Sequence, residues 1–119
     1  MKLNLKVGVS VFTATMYENR SAKDFASLLP ITLMLGEYNR KERSSRLPKR
    51  LIVDEMADGV NVSTGEISYY APFRNLCIYY HDSGLSFCQT PLGKIEEAAI
   101  EAIRCMSGSG PVEVTFEVA

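Results

Sequence analysis

The chain has 119 residues, of which 46% are hydrophobic and 23% charged, and its formal net charge at pH 7 is −1. This length and composition are typical of one globular domain, so we treat residues 1–119 as a single domain with its own core. A net charge near zero gives no field to recruit nucleic acid or an anionic membrane, and no apolar run reaches the roughly 18 residues that span a bilayer, so we expect a cytoplasmic protein with neither as a partner.

The N-terminal segment predicts a β-hairpin. Gly8-Val9 suits a two-residue turn with glycine first, as in a type II′ turn. Pairing across this turn sets Leu5 against Phe12 and Leu3 against Ala14, and leaves polar residues on the other face. One register therefore sorts the apolar pairs onto one side, which is what fixes a hairpin.

A short helix is predicted next, with Ser21 as its N-cap, Asp24 three residues later in the capping box, and Pro30 ending it. The run "ITLML" (31–35) lacks clean alternation, which favours a strand buried on both faces.

Residues 36–50 are polar, with six basic residues from Arg40 to Arg50. A nucleic-acid patch usually interleaves aromatic residues or belongs to a known binding module. Residues 40–50 contain no aromatic residue, so we interpret the segment as a solvated loop between strands.

Residues 66–84, "EISYYAPFRNLCIYYHDSG", predict two antiparallel strands joined by a turn at 72–75. In the second strand one face carries Leu76, Ile78 and Tyr80, and the opposite face carries Cys77, Tyr79 and His81. Four tyrosines flank the turn (Tyr69, Tyr70, Tyr79 and Tyr80). We expect two of them to pack in the core, without a signal that says which two.

Gly93 precedes a predicted amphipathic helix over residues 94–106, and "SGSG" (107–110) is interpreted as its C-cap and turn. The last strand alternates, with Val112, Val114, Phe116 and Val118 predicted to face inward. Short strands with two helices favour a small, mainly β, antiparallel barrel.

Several segments in order along the chain resemble the bacterial cyclophilin-like fold domain family: "FTATMYENRSAKDFASLLPITLMLGEYN", "RLPKRL", "GEISYYAPFRNLCIYYHDSG" and "LGKIE". The resemblance implies a closed cyclophilin-like β-barrel with two short α-helices, and it implies no particular activity. Phe73 and Arg74 stand where the resemblance leads us to expect Trp and Gly, and Ser83 stands where an aromatic residue is common.

Prolyl isomerases of this fold carry an arginine in a Phe-x-Arg strand motif and a Gln-Gly-Gly segment. Neither string occurs in this sequence, so weak prolyl isomerase activity is only the alternative to a non-catalytic protein. Cys77 and His81 lie four residues apart on one strand face, roughly 13 Å, which is too far for a nucleophile–base pair. We therefore predict no catalytic residue.

The sequence has one histidine and three cysteines without a C-x-x-C pair, so we expect no metal site, no disulfide framework and no cofactor. Our main hypothesis is a module that binds a small molecule or an extended peptide, as a monomer or homodimer. A structural or protein-interaction domain that uses an edge strand is the remaining alternative. The candidate ligand-binding residues surround the 72–75 turn: Tyr69, Tyr70, Phe73, Arg74, Asn75 and His81.

Overall fold

A computed structural model describes residues 1–54, 59–106 and 110–119 of the chain. In this part of the chain the helices are α1 (Arg20–Ala26) and α2 (Glu97–Cys105), and the strands are β1 (Lys2–Val7), β2 (Ser10–Met16), β3 (Ile31–Tyr38), β4 (Glu42–Arg46), β5 (Val60–Val62), β6 (Glu66–Tyr70), β7 (Asn75–Tyr79), β8 (Gly84–Ser86), β9 (Gln89–Ile95) and β10 (Val112–Val118). Neither helix is long and apolar enough to cross a membrane.

Eight of these strands close into an antiparallel barrel in the order β1-β10-β3-β4-β7-β6-β9-β2, and β5 pairs with β8 in a separate two-stranded sheet. The predicted mainly β, closed, cyclophilin-like barrel with two short helices is therefore confirmed. Closure matters for binding, because a closed barrel leaves none of its own strands with an unpaired edge.

The β1–β2 hairpin has the predicted register. Leu5 pairs with Phe12 and Leu3 with Ala14. Gly8 has a φ of 60°, which the first position of a type II′ turn requires. The alternation of apolar and polar residues therefore predicts the register of these two strands correctly.

The core fills the inside of the barrel and is covered at its ends by the helices. Phe25 of α1 meets Phe116 of β10 edge to face, with ring centroids 5.6 Å apart. The fully enclosed apolar side chains come from strands all around the barrel: Leu3, Leu5, Leu35, Ile67, Leu76, Ile78, Leu92, Val114 and Phe116.

The predicted cap of α1 is wrong. The N-cap is Asn19, whose side-chain oxygen accepts a hydrogen bond of 2.8 Å from the Ala22 N–H. Ser21 lies inside the first turn and donates to the Ile52 carbonyl at 2.5 Å, and Asp24 accepts from the Ile52 N–H at 2.7 Å. These two side chains therefore hold the segment after β4 onto the helix.

The two predictions for residues 31–50 are also wrong. β3 alternates and is buried on one face only, with Met34 53% exposed on the other. The supposed loop contains β4, which pairs with β3 and with β7. Asn39 and Arg40, with φ of 55° and 54°, form the connecting turn, which the Lys41 N–H closes onto the Tyr38 carbonyl at 3.3 Å.

Arg43 explains why a polar segment forms a barrel strand. Its side chain is completely buried in the barrel and donates hydrogen bonds to the carbonyls of Leu35 at 3.1 Å, Met106 at 2.6 Å and Gly110 at 3.3 Å. A buried cation of this kind is retained because backbone carbonyls replace its lost hydration.

The C-terminal third differs from the prediction at two places. Residues 94 and 95 belong to β9, so α2 begins at Glu97 instead of residue 94. Val118 is 57% exposed, although the earlier inward positions of β10 are buried as predicted. Residues 107–109 of the predicted C-cap lie outside the described residues.

Candidate functional site

The outward-facing side of β4, β7 and β6 carries a polar surface that the strand register assembles. Glu42 lies directly opposite Tyr79, and Ser44 lies opposite Cys77. On the next strand Ser68 is also opposite Cys77. Directly opposed side chains in an antiparallel sheet lie about 5 Å apart at Cβ, so these residues form one contiguous patch on the barrel wall.

The β5–β8 sheet covers part of this patch. Val60 and Val62 pack against Tyr70, Cys77 and Tyr79 in a small second core, which is separate from the barrel interior. This small hydrophobic cluster lies between the barrel wall and the β5–β8 sheet.

Asp82 fixes the loop that leads into β8. Its carboxylate accepts hydrogen bonds from the Thr64 N–H at 2.7 Å and the Thr64 hydroxyl at 2.8 Å, and these bonds lower the pKa of Asp82. The Ser83 N–H also donates to the Val62 carbonyl at 2.9 Å. These bonds join the loop that precedes β8 to β5 and to the loop that follows β5.

A pocket of about 260 Å³ opens between this wall and the β5–β8 sheet. Its aromatic lining consists of Tyr38, Tyr70, Phe73 and Tyr79, and its other lining residues are Asn39, Glu42, Ser44, Asn75, Cys77, Ser83, Ser86 and Gln89. Tyr70 and Phe73 meet edge to face with ring centroids 5.5 Å apart. The lining thus combines rigid rings with a few polar groups, which is the usual character of a small-molecule site.

A directional chain of hydrogen bonds runs beneath the pocket. The Ser68 hydroxyl donates to the Gln89 side-chain oxygen at 2.6 Å, and the Gln89 amide donates to the Tyr79 hydroxyl at 3.1 Å. The Glu42 carboxylate lies beside the Tyr79 hydroxyl, directly across the β4–β7 ladder. The Ser68 and Gln89 donors therefore both point towards the end of the chain that lies next to Glu42.

Burial raises the pKa of the Cys77 thiol and of the Tyr79 hydroxyl, and the Glu42 carboxylate beside them raises both further. A thiol becomes a good nucleophile when its surroundings lower its pKa. The surroundings of Cys77 raise its pKa instead. The Cys77 thiol and the Tyr79 hydroxyl are therefore neutral at neutral pH.

Tyr70, Phe73 and Asn75, among the residues predicted to bind a ligand, come together in the pocket. Tyr69 instead lies inside the barrel, where its hydroxyl accepts a hydrogen bond from the Leu51 N–H at 3.2 Å.

Arg74 and His81 are not among the lining residues of the pocket. Arg74 follows the 3₁₀ turn Ala71–Phe73 in the left-handed conformation, and His81 is exposed with Nδ1 2.8 Å from the Asp82 carbonyl. Three of the four tyrosines (Tyr69, Tyr79 and Tyr80) are buried, one more than expected.

Tyr38, Glu42 and Gln89 line the pocket although they were not predicted as site residues. They belong to β3, β4 and β9, whereas the sequence pattern predicted a loop at Tyr38 and Glu42. The available signal was Asn39, a residue that accepts positive φ and so favours a hairpin turn between Tyr38 and Glu42.

A second cleft, the free cysteines and the metal-binding residue types were the other candidate features. A more open cleft of about 320 Å³ lies beside Ala71 and Pro72, and Cys88 lies at its edge. The three cysteines are free, with Cys77 buried and Cys88 and Cys105 exposed. Within residues 1–54, 59–106 and 110–119, no three His, Cys, Asp or Glu side chains are grouped as metal ligands.

Comparison with known proteins gives a family match over almost the whole chain. The model of the cyclophilin-like family matches residues 5–117. No curated protein sequence matches the chain.

Two solved structures resemble the fold. The solution structure of the hypothetical protein AF2241 from Archaeoglobus fulgidus has a TM-score of 0.65 at 15% identity and covers 100% of this chain and 95% of that one. The structure of McbB in complex with tryptophan has a TM-score of 0.69 at 15% identity and covers 98% of this chain but 44% of McbB. At these identities the likeness concerns the fold.

Proposed function

The chain belongs to the cyclophilin-like family, and we propose that it is a non-catalytic module that binds a small molecule in the pocket between the barrel wall and the β5–β8 sheet. The observation that carries this proposal is the lining of the pocket: four aromatic side chains and the Glu42 carboxylate, beside a chain of hydrogen bonds that ends at Tyr79.

The size of the pocket favours a small molecule over an extended peptide. Its volume of about 260 Å³ is just below the roughly 300–1,000 Å³ of pockets for drug-sized ligands. A peptide that adds a strand needs an unpaired sheet edge, and the eight-stranded barrel is closed. In the described residues, such edges belong to the short β5–β8 sheet.

The chemistry of the wall favours binding over catalysis. The pKa of Cys77 and that of Tyr79 are raised, so neither group is activated as a nucleophile or base at neutral pH. The histidine lies outside the pocket lining. Free cysteines fit a reducing compartment, and we propose a cytoplasmic location on this basis.

The structure of McbB in complex with tryptophan is compatible with this proposal, since a protein that shares the fold over part of its length is known with a small molecule bound. The proposal itself depends on this chain's own pocket.

A thermal-shift screen against a metabolite library tests the proposal, because a ligand that binds the folded state raises the melting temperature. Ser44→Phe places a ring in the pocket, and Met34→Phe places the same ring on the exposed outer face of β3. We expect a ligand that stabilises the wild type and Met34→Phe but has no effect on Ser44→Phe. A screen without any stabilising compound, or equal shifts in both variants, would contradict the proposal.

The alternative activities have their own readouts. Catalysis of proline-peptide isomerisation above background, lost in Ser44→Phe, would establish the enzyme alternative. A dimer in light scattering that is lost on mutation of the β5–β8 sheet would instead favour the interaction domain.

A further inference from the structure

The charge of the pocket is concentrated on one residue. Among the described residues that line it, Glu42 is the single acidic residue, and none of the lining residues is Lys, Arg or His. The chain as a whole carries a net charge of only −1, so any preference for a charged ligand has to come from this local carboxylate rather than from a general field.

Within the part of the chain that the structure describes, no cation pairs with the Glu42 carboxylate; the four ion pairs of the described chain involve other carboxylates. Arg43, the next residue, points into the barrel and is bonded to carbonyls there. The Glu42 carboxylate lies beside the Tyr79 hydroxyl. Because a carboxylate accepts about four hydrogen bonds, it retains acceptor capacity for a ligand.

The surrounding rings suit the same kind of ligand. Tyr38, Tyr70, Phe73 and Tyr79 border the pocket with Glu42, and the face of an aromatic ring attracts an organic cation. An anionic ligand, in contrast, would be repelled by Glu42 and would meet no basic side chain in the lining. The aromatic rings and the Glu42 carboxylate therefore both favour a positively charged ligand.

We propose, on the basis of the proposed binding function, that the ligand of this pocket is an organic cation with a protonated amine or amidine group, held by the Glu42 carboxylate between the aromatic side chains. The carboxylate supplies the charged acceptor and the rings supply the apolar walls, so the ligand combines an amine with a small apolar body.

Three probes of similar size separate charge from shape: benzylamine, benzyl alcohol and benzoate. Their binding to the wild type, Glu42→Gln and Glu113→Gln is measured by titration calorimetry at pH 7, where Glu113 provides a matched exposed carboxylate on β10. We expect wild type and Glu113→Gln to bind benzylamine at least about tenfold more tightly than benzyl alcohol, because hydrogen bonds to charged groups contribute this much. In Glu42→Gln the two affinities should become equal.

Several results would overturn the inference. Benzoate or benzyl alcohol binding as tightly as benzylamine, or benzylamine binding unchanged in Glu42→Gln, would leave a binding pocket without the proposed charge preference. Absence of binding by all three probes would contradict the pocket proposal as well. Should Glu42→Gln fail to fold, the wild type in 0.05 M and 0.5 M NaCl gives the same test, since salt should weaken the binding of benzylamine and leave that of benzyl alcohol unchanged.

Discussion

Glu42 and Tyr79 are directly opposed in the β4–β7 ladder, and the Glu42 carboxylate beside the Tyr79 hydroxyl helps to raise the pKa of that hydroxyl. The same hydroxyl accepts a hydrogen bond from Gln89 of β9 at 3.1 Å. One phenol thus connects three strands, and it does so with its ring almost completely buried. Tyr79 is therefore both a packing residue and the support of the pocket's carboxylate.

Replacement of this tyrosine tests the connection. Tyr79→Phe keeps the ring but leaves the buried Gln89 amide and the Glu42 carboxylate without the hydroxyl. We expect a loss of about 1–3 kcal/mol in the free energy of unfolding, the cost of an unsatisfied buried polar group. Urea denaturation measures this change. Tyr38→Phe, at a residue that is 63% exposed, serves as the control and should change stability by less than about 0.5 kcal/mol. Equal effects of the two variants would contradict the role assigned to Tyr79.

The buried arginine is expected to be indispensable for stability. Arg43→Met removes the donor from the carbonyls of Leu35, Met106 and Gly110, so we expect a loss of about 3 kcal/mol or more. Arg46→Met changes an exposed arginine of the same strand and should be nearly neutral. Guanidinium unfolding followed by circular dichroism gives both values. An Arg43→Met protein as stable as Arg46→Met would show that the barrel does not depend on these bonds.

Arg74 occupies a backbone conformation that favours glycine. Its φ is 57° and its ψ is 32°, and this conformation costs about 1–2 kcal/mol for a residue with a Cβ atom. Glycine is also the residue that the family resemblance predicts here. The larger conformational entropy of glycine in the unfolded chain offsets part of this cost. We therefore expect Arg74→Gly to raise the free energy of unfolding by about 0.5–1 kcal/mol.

Thermal unfolding compares Arg74→Gly with Arg74→Ala, which keeps Cβ and should gain nothing. A stabilisation of similar size in both variants would mean that the arginine side chain, and not the backbone conformation, carries the cost.

Cys77 makes stability fall at alkaline pH. Its pKa is raised in the folded protein, whereas a thiol of the unfolded chain ionises near pH 8.5. Above about pH 8.5 the unfolded chain therefore binds fewer protons than the folded one, and the free energy of unfolding decreases by up to about 1.4 kcal/mol per pH unit. Below that pH this contribution is fully present.

Urea denaturation between pH 7 and pH 10 measures the slope. Cys77→Ala should flatten it, and Cys105→Ala, which removes an exposed thiol, should leave it as in the wild type. A slope that is insensitive to Cys77→Ala would refute the assignment.

Strands that are buried on one face could be predicted from the sequence. In the β1–β2 hairpin and over most of β10 the alternate apolar residues face the core, with Val11 as an exposed exception, so the alternation can be read directly from the sequence. β4 could not be predicted in this way because its inward residue is Arg43, whose partners are carbonyls of the preceding strand and of the chain after α2. Such acceptors have no sequence signature.

Part of the lining of the pocket could be predicted for the same reason. Tyr70, Phe73 and Asn75 lie near a turn that is recognisable from its residues. Glu42 and Gln89, which are far apart in the chain, reach the pocket only because β4 and β9 lie on either side of the β6–β7 hairpin. This neighbourhood follows from barrel closure, which local patterns do not specify.

Within the five residues of β7, alternate side chains face two different surroundings. Leu76 and Ile78 face the barrel interior, while Cys77 and Tyr79 face the pocket. Substitutions at the outward positions Glu42 and Ser44 of the neighbouring strand change the lining of the pocket without removing volume from the barrel core. The shape and charge of this pocket can therefore vary while the folded scaffold is inherited unchanged.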